Sequence, residues 1–293
     1  MREGVKKTRD NILLKILAVS FVLLMVVSCA MPSIAVDNPS SNNALNPLNN
    51  VLLSENITAN NTPFSLSSAT IYVPDNYLKI QWAVNNASAG DTIIVRDGIY
   101  TEHVIVNKRL TIQSENGSDK TIVQAAISID HVFDVRADYV NISGFTVKGA
   151  TGREYAGIYI RYVVYCNISN NNATDNYVGN FLPTHSNNNV IMNNNASYNE
   201  FGIYCSSSNN NITNNDVSNN VCGIGLSSSS NNIITNNDVS NNLVVGIGLT
   251  SSSDNNIVTN NTASSNKEGF YLYDSSNNTI TNNMMSGNDY NFC

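Results

Sequence analysis

The chain has 293 residues, a formal net charge of −7 at pH 7 and only 13% charged residues. Lys and Arg number 15 against 22 Asp and Glu, and no basic run lies in the body of the chain, which excludes an electrostatic nucleic-acid surface. The length fits one elongated domain with a leader and a tether.

Residues 1–35 read as an export segment, a signal peptide or membrane anchor. Lys6, Lys7 and Arg9 precede the mostly apolar run from Ile16 to Val27, which is short for a bilayer span, and Ser33-Ile34-Ala35 offers a small-x-small cleavage site. Val26-Val27-Ser28-Cys29 resembles a degenerate lipobox, in which Cys29 would carry the lipid. Retention of residues 12–36 as an uncleaved anchor is the third reading. All three place the body outside the cytoplasm, at the cell surface, in the periplasm or in the extracellular space, with membrane contact only through this segment. Residues 36–68 are rich in Asn, Ser and Pro and have no apolar period, so they read as a disordered linker.

Folding is expected from Ala69. Ile71-Tyr72-Val73 forms a strand, stopped by Pro74. Leu78 to Ala89 reads as a helix, with Ile80, Ala83, Val84 and Ala87 on one face, Trp82 beside them and Gly90 at its end. A solenoid must cover the apolar end of its first coil, and this helix suits that place. Irregular Val- and Ile-rich strands follow to residue 150. From 151 onward one phrase recurs. Asn167-Ile168-Ser169-Asn170-Asn171 returns as Asn211-Ile212-Thr213-Asn214-Asn215 and again near Ile234, Val258 and Ile280. A second phrase, Gly202-Ile203-Tyr204-Cys205, returns as Gly223-Ile224-Gly225-Leu226, Gly246-Ile247-Gly248-Leu249 and Gly269-Phe270-Tyr271-Leu272, with a weaker copy at Gly179.

The copies lie roughly 21 to 24 residues apart and alternate in twos, so each repeat holds short strands rather than helices. Three strands and three turns use about 22 residues, one coil of a right-handed parallel β-helix. The fold class is therefore all-β, with an N-terminal capping helix. Stacked Asn residues are expected to form amide ladders and turns rather than a sugar or metal site.

Thr70-Ile71-Tyr72-Val73-Pro74-Asp75, Ile80-Gln81-Trp82-Ala83-Val84 and Gly90-Asp91-Thr92-Ile93-Ile94-Val95 resemble the start of pectin-lyase-like β-helix proteins. The repeats resemble those of the NosD family of periplasmic β-helix proteins, a type also abundant among archaeal cell-surface proteins. The resemblance covers residues 69–293. It implies the fold; the same fold carries lyases, hydrolases, epimerases and inert scaffolds.

Copper chemistry, which the NosD resemblance implies, needs clustered Cys, Met or His. His103, His131 and His185 are dispersed, and the neighbours Met284 and Met285 point to opposite faces of a strand. No cofactor is expected. Asp216 and Asp238 occupy equivalent positions in adjacent coils and form a weak calcium candidate, flanked by Asn195 and Thr262. Asp134, Arg136 and Asp138, after Asp130 and His131, read as exposed turn charges. Cys205 stands at a core Leu position, Cys222 is too far along the strand to bridge to it, and Cys166 stands in an Asn row. Asn-x-Ser/Thr sequons recur at Asn56, Asn60, Asn116, Asn172, Asn195 and Asn260, as Asn-rich repeats generate by chance.

The binding candidates are Tyr159, Phe181, Tyr204 and Tyr271, an outward row interrupted by Gly225 and Gly248. Such a row either stacks on sugar rings of a polysaccharide or envelope glycan, or stacks on itself and stabilises the sheet. No carboxylate pair with a nearby base is visible. The sequence thus favours a non-catalytic structural or glycan-binding module over a polysaccharide lyase, hydrolase or epimerase, and over a copper-maturation factor. Repeat alignment puts Phe292 at the Ile224 position, so the last coil is expected to end in an open strand that is completed by a partner coil, by end-to-end self-association with a second copy that Cys293 secures, or by further sequence.

Overall fold

Residues 68–293, the part that the computed structural model describes, wind through short parallel strands and one helix. The leader, the Cys29 lipidation candidate and most of the linker lie outside the described residues. The strands build a solenoid of about ten coils and three sheets. Sheet 1 has ten strands, from Thr70–Val73 to Thr279–Thr281. Sheet 2 has nine, from Gly98–Thr101 to Met284–Ser286, and sheet 3 has nine, from Val104–Val106 to Tyr290–Phe292. Each regular coil visits sheets 1, 2 and 3 in turn and then returns to sheet 1 one step further along the axis.

The inner files follow from alternation. Sheet 1 stacks Ile168, Ile191, Ile212, Ile234, Val258 and Ile280 in register. Sheet 2 contributes the smaller Ala173, Ala196, Val217, Val239 and Ala263. Sheet 3 contributes Ile203, Ile224, Ile247 and Phe270. These side chains are buried in one continuous core, with Ile280 of the last coil partly buried against it; no coil could bury its own apolar row alone. The recurring Gly phrase also has a steric cause: a Cβ on Gly223 would lie 2.5 Å from Gly246 O and 2.5 Å from Val239 Cγ1.

The Asn-Asn dipeptides form the corners. The first Asn of each pair takes the left-handed region, which Asn tolerates better than most side chains; Asn170, Asn193, Asn214, Asn236, Asn260 and Asn282 have φ of 54–56°. The second turns its amide inward. In the file between sheets 1 and 2, the Oδ1 atoms of Asn171, Asn194, Asn215, Asn237, Asn261 and Asn283 each accept the backbone N–H of the equivalent residue one coil back, at 2.9–3.1 Å. Their Nδ2 atoms donate to carbonyls of that preceding coil, such as Asn215 to Ile191 O at 2.9 Å. A second ladder runs through Asn176, Asn199, Asn220, Asn242, Asn266 and Asn288, between sheets 2 and 3. A third runs from Asn189 through Asn210, Asn232 and Asn256 to Asn278, between sheets 3 and 1, and its first member, Asn189, accepts the backbone N–H of Cys166. The turns bury backbone groups that no strand pairs, and the amides satisfy them.

At the start, helix α1 (Ile80–Asn86) packs Ile80, Ala83 and Val84 into the core. It is shorter than the expected Leu78–Ala89. The chain turns extended at Ala87, and Gly90, with φ of +97°, belongs to the following turn rather than to a helix stop. Both ends of α1 are held by side chains of the next coil. Glu102 accepts the N–H groups of Ile80 and Gln81, each at 3.0 Å, and Lys108 donates to the carbonyls of Val84, Asn85 and Ala87. At the other end, Phe292 pairs with Phe270 in the Ile224 file and is exposed, as is Met284, while Met285 packs on the core.

Candidate functional site

The outer face of sheet 3 differs from the other two. Sheets 1 and 2 present mainly Asn, Ser, Thr and Asp outward. Sheet 3 presents a second apolar cluster, built on Ala156, Val178, Phe201, Tyr204, Cys222 and Val245, with Tyr159, Phe181 and Tyr271 packed against it. Strand register places Ile105, Asp134, Tyr159, Phe181, Tyr204, Gly225, Gly248 and Tyr271 in one outward file. The four aromatic candidates therefore share one file, three of them consecutively and Tyr271 beyond the two glycines.

The three consecutive rings touch. Tyr159 and Phe181 have centroids 5.2 Å apart, Phe181 and Tyr204 5.4 Å apart, and Phe201 flanks Tyr204 at 5.3 Å. His131 extends the stack, parallel to Tyr159 at 4.1 Å. The self-stacking alternative is thus realised for the rings nearest the first coils.

Asp134 corrects the expectation of exposed turn charges. It lies inside a strand, Phe133–Val135, and is 0% exposed. Arg136 donates to its Oδ2 at 2.6 and 3.0 Å, and Arg161 reaches both oxygens at 3.1 Å. Arg161 also covers Tyr159, 4.9 Å from the ring centroid. Burial pushes the Asp134 carboxyl up, but the two guanidinium groups outweigh it and hold the group below its usual range. A carboxylate so fixed is no general acid at neutral pH. The residue missing from the sequence reading is Arg161, which stands one coil from Arg136 at the end of a Gly-Ile-Tyr-Ile phrase; that placement was available from the repeat alignment.

His131 is buried by the same stack. Its Nδ1 accepts the backbone N–H of Ala156 at 3.0 Å, so the neutral ring is the form the site holds. Burial lowers its pKa to about 4, despite the carboxylate of Asp134. A folded pKa below the unfolded value of about 6.5 means that stability is full above pH 6.5 and is lost as pH falls toward 4. The expected loss in unfolding free energy over that window is about 3 kcal/mol, read by urea titrations at stepped pH. His131→Phe should keep the stack on Tyr159 and flatten this step; an equal acid loss in the variant would remove His131 as its source.

Asp216 and Asp238 pair in register on the outer face of sheet 2, between Asn195 and Thr262 as expected. Burial first, and then the neighbouring Asp216, push the Asp238 carboxyl up. Two monodentate-capable carboxylates fall short of the six or more oxygens that calcium takes. Among the described residues, no group of three or more His, Cys, Asp and Glu side chains converges to hold a metal.

Residues 84–262 and 249–293 match the NosD family, described as periplasmic copper-binding proteins. This chain belongs to the NosD family. A stretch of this NosD-family chain is 38% identical over 104 residues to a cell surface glycoprotein of Methanothermus fervidus, covering 35% of this chain and 16% of that relative. The chain therefore spans only a small part of the curated relative it matches. Among solved structures, pectate lyase Pel9A superposes with a TM-score of 0.55 at 16% identity, covering 75% of this chain and 79% of that one. The Dettilon tailspike protein superposes at 0.56 and 14% identity, covering 69% of this chain and 46% of that one. At these identities the likeness is one of fold.

The family description raises copper, and the described donors do not fit it. His103 Nδ1 contacts Asp130, and His131 Nδ1 is taken by the backbone of Ala156. Cys205 and Cys222 are buried free thiols on opposite sides of sheet 3, Cys205 in the main core and Cys222 in the outer cluster. A copper site wants several soft or imidazole donors free to converge; the Nδ1 atoms of these two histidines are engaged, the thiols of Cys205 and Cys222 lie on opposite sides of sheet 3, and no three His, Cys, Asp or Glu side chains converge among the described residues.

Proposed function

We propose that this NosD-family chain is an exported, cell-surface β-helix module that binds a glycan along the outer face of sheet 3 without cleaving it. The observation that carries this reading is the outward file itself: a run of touching, mutually tilted aromatic rings, two glycines and then Tyr271, with an arginine-clamped Asp134 beside Tyr159. Aromatic faces offer apolar contact to the C–H side of a sugar ring. Gly225 and Gly248 leave two ringless coils between Tyr204 and Tyr271, which stand three strand spacings or about 14 Å apart. The carboxylate in the file, Asp134, is held ionised by Arg136 and Arg161 and so cannot serve as the acid of hydrolysis or elimination. The relationship to a cell surface glycoprotein and to a periplasmic family supports export, and the exposed sequons Asn116, Asn195 and Asn260 are open to modification there, whereas the ladder asparagines are not.

Glycan-array binding followed by calorimetry tests the reading. Tyr271→Ala, which has no ring partner in the stacked run, is expected to weaken binding by about 1 kcal/mol or more with little change in melting temperature. Tyr204→Ala should weaken binding and also lower stability, because Phe181 and Phe201 both lose a ring contact. Unchanged affinity in both variants would make the aromatics structural. Assays of acidic and neutral polysaccharides with calcium, read for new reducing ends or unsaturated products, address the competing reading; turnover would make the protein a carbohydrate-active enzyme.

A further inference from the structure

The corner between sheets 3 and 1 carries a second file, and its sequence departs from the repeat at two places. Asn188, Asn209, Asn231, Asn255 and Asn277 take the left-handed region there, with φ of 56–61°. In the two preceding coils the same position holds Tyr139 and Tyr165, with φ of 59° and 58°. A bulky side chain in this region costs free energy that Asn avoids. Neither ring repays the cost by burial: Tyr139 is 50% exposed and Tyr165 53%. Strain kept at an exposed aromatic position points to function rather than packing.

The two rings stack, with centroids 5.1 Å apart and planes at 20°. Arg109, at the same corner one coil earlier, lies 5.7 Å from the Tyr139 centroid. Asp138 sits beside them and accepts the N–H of Val164 at 2.8 Å. Tyr162, also left-handed at φ 55° and 58% exposed, lies nearby with His185 against its edge. Beyond Tyr165 the file continues as exposed Asn side chains, one per coil.

We propose that this corner is a second carbohydrate platform, which takes neutral pyranose rings on the Tyr165 face and their hydroxyls on the Asn file. A pyranose offers an apolar C–H face and a rim of donors and acceptors. The corner offers an aromatic face followed by amides spaced one coil apart, about 4.8 Å. Arg109 over Tyr139 and Asp138 beside it carry opposite charges, so the corner has no net charge to select a charged ligand, and the acidic chain disfavours nucleobase stacking with its phosphates. This site is separate from the sheet 3 face, and either can stand without the other.

The decisive variants restore the repeat. Tyr139→Asn and Tyr165→Asn give each coil the residue that the later coils carry. Calorimetry on the full chain uses cello- and chito-oligosaccharides as neutral probes. The double Asn variant is expected to lose about tenfold or more in affinity, the amount that one aromatic contact supplies, while its melting temperature stays level or rises. Tyr165→Phe should bind nearly as the parent does. A fall in melting temperature without loss of affinity would make the pair structural and overturn the proposal. So would the absence of binding to both probes. Loss on Tyr271→Ala with none in the double Asn variant would place the glycan on sheet 3 alone, which overturns this platform and leaves the sheet 3 reading intact.

Discussion

Asn215→Ala is expected to destabilise the solenoid by about 4 kcal/mol, whereas Asn214→Ala, one residue away, should cost only about 1 kcal/mol. The two residues look alike in sequence and do different things. Asn215 is 1% exposed, and its Oδ1 accepts the Asn194 N–H at 3.0 Å while its Nδ2 donates to Ile191 O at 2.9 Å. Removing the amide strands a buried donor and a buried acceptor, each worth about 1–3 kcal/mol when left unmade. Asn214 is exposed and contributes a φ of 54°. Its replacement by Ala loses only the conformational tolerance, and Asn214→Gly should restore it. Equilibrium urea unfolding measures both. Hydrogen exchange at the Asn194 amide should rise in the Asn215 variant before the rest of the coil opens, because each coil depends on its neighbours. Equal costs at the two positions would show that the ladder is not what holds the corners.

This pair also shows what could be read from the residues alone. The spacing of Ile168, Ile191 and Ile212 marks the coil, and the Gly phrases mark the strands of sheet 3. Both follow from side-chain alternation, which is local and repeated. The ladders were legible as a principle, since equivalent Asn residues must stack. That there are three of them, one for each corner, needed the path of the chain. Sites were less legible for the same reason. Tyr159, Phe181, Tyr204 and Tyr271 fall in one file because their Gly phrases align. Asp134 lies in a coil without that phrase; its strand was legible from the Val-rich alternation, but its burial beneath Arg136 and Arg161 depends on side chains meeting across two coils. Tyr139 and Tyr165 escaped notice because the corner position has no apolar pattern; the signal was a Tyr where later coils hold the first Asn of the pair. The same limit applies to the cap, whose ends are held by groups of the next coil.

Those groups support the second large effect. Glu102→Ala is expected to cost about 4 kcal/mol and to loosen the cap before the coils. A helix of seven residues has too few internal hydrogen bonds to persist alone, so its ends must be satisfied from outside. Lys79, at the N-cap, makes no side-chain cap. The carboxylate of Glu102, only 7% exposed, takes two of the orphan N–H groups instead and sits at the positive end of the helix dipole. Lys108 does the converse at the other end, with three carbonyls at 2.8–3.1 Å. Each hydrogen bond to a charged group contributes about 1.5–3 kcal/mol, and truncation to Ala loses both at the N-terminus together. Glu102→Gln keeps one acceptor oxygen but aims an amide at an N–H, so it should fall between. Trp82, the one tryptophan of the chain, lies on α1 and reports the cap directly. In Glu102→Ala its fluorescence should change at lower urea than the circular dichroism of the coils, splitting a transition that coincides in the parent. A single coincident transition with unchanged midpoint would mean that Ile80, Ala83 and Val84 hold the helix by packing alone.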